Sequence, residues 1–340
     1  MAGWVAPEII SVSAAAAQSA GCFLPPLLPG CEGPDCPDAY PGVGPYPTPK
    51  GRDAAVNLFA GGDFTVLGAS AEAEGRVVVL GDFTLDKTPP SNAYNVGVVG
   101  VGSGVVPPNN SDFLIVGGNL TVEAGMSLIV GNSAAFGVTS YGGALSGSVD
   151  VAPAFGGLLV SSSTADDPYL GLPDLITQTS ACWAAIPSTG TATKQGSQTV
   201  FNGDGSSPLQ VFEVDFNIED GIFPQGISFQ NVPFFATILV NMTGGSAQTI
   251  NANAVLSNVP QRRVVWNFAT ATAPVLTGPV QFIGSVVVAS PNSVTTVEMP
   301  GMNGRFYTAG SLVHQSRLGG GGEEFHNYPF EGTLPDCLCP

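Results

Sequence analysis

"FAGGDFTVLG" (residues 59–68) and "VVLGDFTLD" (78–86) each contain Gly-Asp-Phe-Thr after a run of small and apolar residues. "IVGGNLTVE" (115–123) is a looser copy: Gly, then Asp or Asn, a large apolar residue, Thr and an aliphatic. The reference positions Asp63, Asp82 and Asn119 are 19 and 37 residues apart. The second spacing is close to twice the first, which predicts one structural unit per copy, with one copy too degraded to see. In an extended chain, Phe64 and Val66 point to one side and Asp63 and Thr65 to the other. Phe83 with Leu85 and Leu120 with Val122 repeat the alternation. Stacking the copies would bury Phe64, Phe83 and Leu120 in one core and leave Asp/Asn-x-Thr ladders outside. Gly62, Gly81 and Gly118 suit a tight corner or a close backbone approach. The fold class predicted is all-β, a β-solenoid (β-helix).

Composition agrees. The 340 residues include 45 Gly and 29 Pro but only 10% charged residues, the mark of many short strands joined by turns. Nine Lys and Arg face 26 Asp and Glu, a net charge of −17. Such a surface argues against nucleic acid and against an anionic bilayer. Mean hydropathy is positive, yet apolar runs such as "RVVVLG" are strand-length, so membrane insertion is not expected.

"RVVVLG" and "FLIVGG" are apolar on both faces and call for cover on both sides. That cover is expected from one long α-helix packed alongside, residues 166–186. Its face is Leu172, Ile176, Thr179, Trp183 and Ile186, with Asp166 or Asp167 as cap. Pro173 either kinks this helix or marks its true start. Strands resume after it at turn-separated intervals, with no sign of a second core. The expected layout is a Pro-rich arm (1–50), a solenoid domain (51–336) and a tail (337–340). Residues 21–50 read as polyproline-II with cysteine staples. A linker is the favoured reading, and docking on another subunit the sharper one. The first 22 residues partly resemble a signal peptide but lack a basic start.

Cys22, Cys31, Cys36, Cys337 and Cys339 cluster at the two ends and read as disulfide candidates in an oxidising compartment. Cys182 joins that set by count. Its neighbour Trp183 favours a buried small hydrophobe instead. Spacing does not fix the pairing. Asn109, Asn119 and Asn241 are N-glycosylation candidates.

The ordered phrases "NLFAGGDFTV", "AEGRVVVLGDFTL", "AAIPSTGT", "LQVFEVD", "ATILVNMTGG", "RVVWNF", "FIGSVVVASPNSV", "NGRFYTAGSLV" and "GGEEFHNYPFEG" resemble the choice-of-anchor A domain of secreted surface proteins. Coils, then a helix, then more coils also look like the β-solenoid ice-binding proteins. The resemblance spans about residues 53–332. It implies an extracellular adhesive or structural role and carries no catalytic residue. No sorting motif or membrane tail follows "PFEG", which turns attention to the cysteine-bearing ends as connectors.

Candidate chemistry is sparse. Glu323, Glu324 and His326 sit within four residues, and a closing turn with solvated charges is preferred to a metal corner. Asp63 and Asp82 could stack into a calcium-binding stripe, a weak signal. The glycine-rich "NVGVVGVGSGVV" (95–106) is followed by no helix or Lys that would make a phosphate cradle. "PQRRVVWNF" reads as a strand edge with Trp266 buried. Trp183 is expected to be buried too, leaving only Trp4 for a lectin. The Thr ladder suits ice binding, but Thr pairing across strands is the favoured explanation. No cofactor is expected. The prediction is a non-enzymatic extracellular adhesive or structural protein, a candidate subunit of a filament or coat. Self-association or surface and matrix glycans are its expected partners. Ice binding and a carbohydrate-binding or -active β-helix are the alternatives.

Overall fold

The computed structural model describes residues 26–88, 91–256, 259–317 and 320–337. Among these, three sheets of twelve, ten and seven strands enclose one apolar core. The first coil is Val56–Ala60 in the ten-stranded sheet, Phe64–Gly68 in the twelve-stranded sheet and Glu72–Glu74 in the seven-stranded sheet. Pairing between coils of the solenoid is parallel. Phe64 lies beside Phe83, and Phe83 beside Leu120, all fully buried. The rings of Phe64 and Phe83 meet edge to face at 5.2 Å. The stacked interior expected from the repeats is present.

The repeat count is corrected. Phe83 pairs directly with Leu120, so no degraded coil lies between Asp82 and Asn119. The additional residues of that turn form the glycine-rich loop instead. Its backbone N–H groups do receive anions, but these are the chain's own carboxylates. Glu72 accepts from Gly100 and Val101 at 2.8 and 3.0 Å. Glu74 accepts from Ser103 and Gly104 at 2.8 and 2.7 Å. Burial pushes the Glu74 carboxyl up from its ordinary range.

The corner phrase repeats because each coil caps the next. The Asp63 Oδ1 accepts the Asp82 N–H at 2.9 Å, and the Asp82 Oδ1 accepts the Asn119 N–H at 2.7 Å. Asn119 Oδ1 accepts the Ala144 N–H in turn, and Ser311 Oγ accepts that of Asp63. Glycine precedes each aspartate because a side chain there would strike the cap below. A Cβ on Gly81 would stand 2.3 Å from Asp63 Oδ1 and 2.7 Å from the Gly62 backbone. Gly81→Ala is therefore expected to cost about 1–3 kcal/mol. Gly171→Ala, where nothing lies within 4 Å, is expected to stay within about 0.5 kcal/mol in urea titrations.

The chain starts in the middle of the tower. Coils run outward from Val56 to Leu158–Ser161, and helix α1 (Leu172–Ala184) follows. The second half begins at the far end, with the antiparallel pair Thr191–Gln195 and Gln198–Asn202 and then Leu209–Val214, and returns coil by coil. Its last coil, Phe306–Thr308, Ser311–His314 and Glu324–His326, lies in register against the first. This seam carries Tyr307 Oη donating to Val56 O at 2.9 Å and Leu312 N donating to Asp63 O at 2.8 Å. At its most buried point, Arg305 Nη2 donates to Asp53 Oδ2 at 2.6 Å, both side chains fully enclosed.

Helix α1 lies on the ten-stranded sheet, chiefly against its second-half strands Thr237–Met242, Val264–Phe268, Ser285–Val288 and Phe306–Thr308. It is therefore not the cover expected over "RVVVLG" and "FLIVGG", whose Val78 and Ile115 join the same apolar cluster together with Leu80, Ala165 and Tyr169. Ile176, Thr179 and Trp183 of the predicted face are buried. Neither Asp166 nor Asp167 caps it: both precede or sit in a separate 3-10 turn, and Gly171 is the N-cap. Pro173 falls in the first turn, where its missing N–H costs nothing. Cys182 is not a free small hydrophobe but is bonded to Cys337 of the tail. Cys31 is bonded to Cys36. Cys22 and Cys339 lie outside the described residues, as does Trp4. Residues 26–50 are no free linker, since Leu27 and Leu28 are buried with the helix and Pro29 and Gly30 bind Arg305.

His314 points into the core, its Nδ1 2.9 Å from the Tyr94 hydroxyl. Burial first, then Lys87, push it down to about 3. A histidine held neutral when folded, against an ordinary value near 6.5, leaves the unfolded chain binding more protons on acidification. Its contribution is complete above about pH 6.5 and is lost as the pH falls towards 3, on the order of 4 kcal/mol in all. In denaturant midpoints at pH 7 and pH 4, the wild type should lose more than His314→Gln. Equal losses would contradict the assignment.

Candidate surface site

The outer side of the twelve-stranded sheet carries a continuous row. Ser146 pairs with Thr121, Thr121 with Thr84, and Thr84 with Thr65. Thr65 pairs across the seam with Val313, which leads to Thr296, Val275 and Thr249. Seven of these eight are half-exposed and Ser146 is exposed. Neighbours are about 4.8 Å apart, the strand spacing, and β-branching stiffens all but Ser146 at χ1. The sequence motif shows only Thr65, Thr84 and Thr121. The rest is visible only once the second half is known to dock in register.

Cavities of about 250, 320 and 370 Å³ are lined by the arm, the glycine-rich loop, the helix and the tail, and by no residue of the row. Charges flank it: Asp63 and Asp82 at one side, Asp86, Glu123 and Glu298 at the other.

The remaining predicted site residues fall elsewhere. Asp63 and Asp82 spend their carboxylates on corner N–H groups, as described. Among the described residues no group of three or more His, Cys, Asp or Glu is placed to hold a metal ion. Glu323 and His326 do not form a solvated turn, because both are buried and Glu324–His326 is an interior strand of the seven-stranded sheet. His326 Nδ1 lies 2.6 Å from Asn303 Oδ1, and its Nε2 2.8 Å from Glu324 Oε2. Both ring nitrogens are thus engaged by neighbours within the sheet. Burial pushes the Glu324 carboxyl up; His326 opposes this and Glu72 across the seam adds to it.

Trp266 is fully buried and donates to Ile283 O. Its strand is interior, not an edge. Arg262 pairs with Glu331 at 3.1 Å and lies over the Tyr40 ring, while Arg263 donates to Phe235 O. These arginines hold arm, tail and loop rather than forming a subsite. Trp183 is buried under the tail. Asn241 leaves the set of glycan acceptors: it is buried, and its Nδ2 donates to Trp183 O at 2.9 Å beneath the helix. Asn109 and Asn119 are exposed, but Asn119 Nδ2 donates to Asp82 at 3.1 Å.

The family model described as "Putative Ice-binding-like adhesive domain" matches residues 55–327. The chain belongs to this family. The ice-binding-like adhesive domain thus comprises the whole run from the first coil to the last, with the row on one of its faces. Among solved structures, the domain is similar to one titled the crystal structure of an ice binding protein from an Antarctic Biological Consortium. Identity is 11%, coverage 79% of this chain and 87% of that one, and the TM-score 0.38. No curated protein matches the chain. Two disulfides are consistent with an oxidising, surface or extracellular location for this adhesive domain. Among the described residues no helix is long and apolar enough to cross a membrane.

Proposed function

We propose that the chain is a non-enzymatic adhesive module of an extracellular surface, gripping flat, repetitive material with the twelve-stranded face. The eight-residue row carries this reading. Stiff side chains at a fixed repeat lose little entropy when they meet a regular surface. A row that lines none of the three described cavities suits a solid better than a small molecule. Ordered polysaccharide of a wall or matrix is the partner class, since the net charge of −17 disfavours polyanions. The choice-of-anchor A resemblance supports the same secreted setting. Depletion assays on microcrystalline chitin and cellulose test it, with released reducing ends followed in the same tubes with and without calcium. Saturable adsorption without product is expected. Product release would favour a carbohydrate-active β-helix, and absence of adsorption would count against the reading.

Ice is the second reading, favoured by the contiguous Thr65, Thr84 and Thr121. Thermal hysteresis of the purified protein decides it, and its absence at high concentration removes it. Assembly into a filament or coat is supported by the outermost coil, where Leu145, Leu158 and Val160 are exposed on edge strands and Phe155 in the 3-10 turn that precedes the last of them. Electron microscopy of native material should then show end-to-end particles. Isolated monomers at all concentrations would oppose assembly without touching the adhesive reading.

A further inference from the structure

The two ends of the tower differ. At one end the hairpin Thr191–Gln195 and Gln198–Asn202 folds against Leu209–Val214. Phe201 of the hairpin and Phe212 are fully buried there, their rings 5.4 Å apart. The outer edge of Leu209–Val214 is also occupied. Val211 O accepts from Thr189 N and Gly190 N at 3.0 and 3.2 Å, and Val211 N donates to Thr189 Oγ1 at 2.9 Å.

At the other end, Leu145–Ser146, Val149–Asp150 and Leu158–Ser161 are the last strands of the three sheets, and among the described residues no strand follows any of them. The core columns stop there uncovered. Leu145 stacks on Leu120, which is fully buried, yet Leu145 is 37% exposed. Val149 over Leu128 and Leu159 over Thr139 are half-exposed above buried neighbours. Leu158–Ser161 is the longest of the three edges. Leu158 N donates to Gly137 O, and Ser162 N to Tyr141 O. In a parallel pair alternate residues face the neighbouring strand, so Leu159 and Ser161 turn their N–H and C=O groups away from the tower.

We propose that a second copy of this chain covers this end, its Leu158–Ser161 strand pairing antiparallel with the same strand about a two-fold axis through Val160. The axis sets Leu159 opposite Ser161 of the partner subunit and Ser161 opposite the partner's Leu159. That arrangement makes four hydrogen bonds, with the two Val160 residues facing each other as a non-hydrogen-bonded pair. Charge favours a second copy as the occupant. Between residues 124 and 165 the one charged residue is Asp150, and its Oδ1 accepts the Ala152 N–H. The whole chain carries −17, so contact between two copies is favoured where like charge is absent. Phe155, Leu158 and Val160 supply exposed apolar area around the strand. The capped end offers no matching edge, so this contact closes at a pair. The proposal rests on the assembly reading above and narrows its unit to a two-fold dimer.

The test is Val160→Cys in the full chain under mild oxidation, followed by non-reducing gels and peptide mapping. A non-hydrogen-bonded pair brings its Cα atoms to about 4.5 Å, within the span of a disulfide. Most of this variant should run as a dimer joined through position 160. Wild type and Val294→Cys, exposed on an interior strand, should not form that link. In sedimentation equilibrium the wild type should show a monomer–dimer equilibrium, weakened at least tenfold by Ser161→Pro. Proline removes the outward N–H from each copy, two of the four bonds, and leaves the pairing with Val138–Tyr141 in place. Oligomers that form without a link at position 160 would overturn the two-fold pair and leave assembly standing. Monomers at every concentration would overturn both. A link from position 160 to Cys22 of the same chain would overturn the pair by showing that the chain covers its own edge.

Discussion

Replacing Arg305 with Met lowers the melting temperature by roughly 4–7 °C, the largest single-residue effect expected in this chain. Breaking a buried pair leaves a charge without compensation and costs about 3–5 kcal/mol. At about 1.4 °C per kcal/mol for a chain of 340 residues, that is the shift stated. Arg305 serves more than Asp53. Its guanidinium also donates to Asn327 Oδ1 at 2.5 Å, Gly30 O at 2.9 Å and Pro29 O at 3.4 Å. Asp53 in turn accepts from the N–H groups of Glu32 and Ala55. The pair therefore joins the arm, the first coil and the last coil at one point. Arg305→Met should free the arm as well, so limited proteolysis should cut within residues 26–50 before it cuts the solenoid. Asp53→Leu/Arg305→Met should recover part of the loss, because it removes both charges. A shift below about 2 °C with an uncut arm would show that the pair does not hold the seam.

Removing the Cys182–Cys337 bridge is the second large effect. The bridge closes a separation of 155 residues, whereas Cys31–Cys36 closes 5. In the chain-entropy account these correspond to about 5 and about 2 kcal/mol of lost freedom in the unfolded chain. Cys182→Ala/Cys337→Ala should therefore cost at least twice as much as Cys31→Ala/Cys36→Ala in denaturant unfolding without reductant. The loss should appear in the tail and helix, because Trp183 Nε1 donates to Pro335 O and Thr333 N to Thr237 Oγ1 along the same strap. Equal costs for the two bridges would point to an unfolded state already compact around the helix.

The corner phrase was legible because it is a local device. Each Gly-Asp encodes a cap and the space for the cap below, so Asp63, Asp82 and Asn119 reveal the solenoid by themselves. The same device is nearly invisible at Gly310-Ser311-Leu312, where Ser takes the aspartate's place, and at Gly143-Ala144-Leu145, where no cap is offered. The missing coil read into the 37-residue gap failed for a related reason. Spacing counts residues, and an insertion that folds over Glu72 and Glu74 adds residues without adding a floor. The seam could not be read at all, since Thr65 and Val313 are neighbours only through tertiary pairing. For that reason the sequence shows a three-residue ladder where the molecule has a row of eight. Burial of His326 and Asn241, and the bonding of Cys182 to Cys337, were equally hidden, because each is set by a distant segment.

The central claim is that the row, built jointly by both halves of the chain, is the gripping face. It is tested most directly by adsorption isotherms on microcrystalline chitin and cellulose for Thr84→Lys/Thr296→Lys, one change in each half. The control is Ser163→Lys/Ser206→Lys, equal in charge and placed on exposed positions outside the twelve-stranded sheet. The account predicts at least a tenfold loss of affinity for the row variant, with the control binding as wild type and both melting as wild type. Undiminished adsorption by the row variant would contradict it.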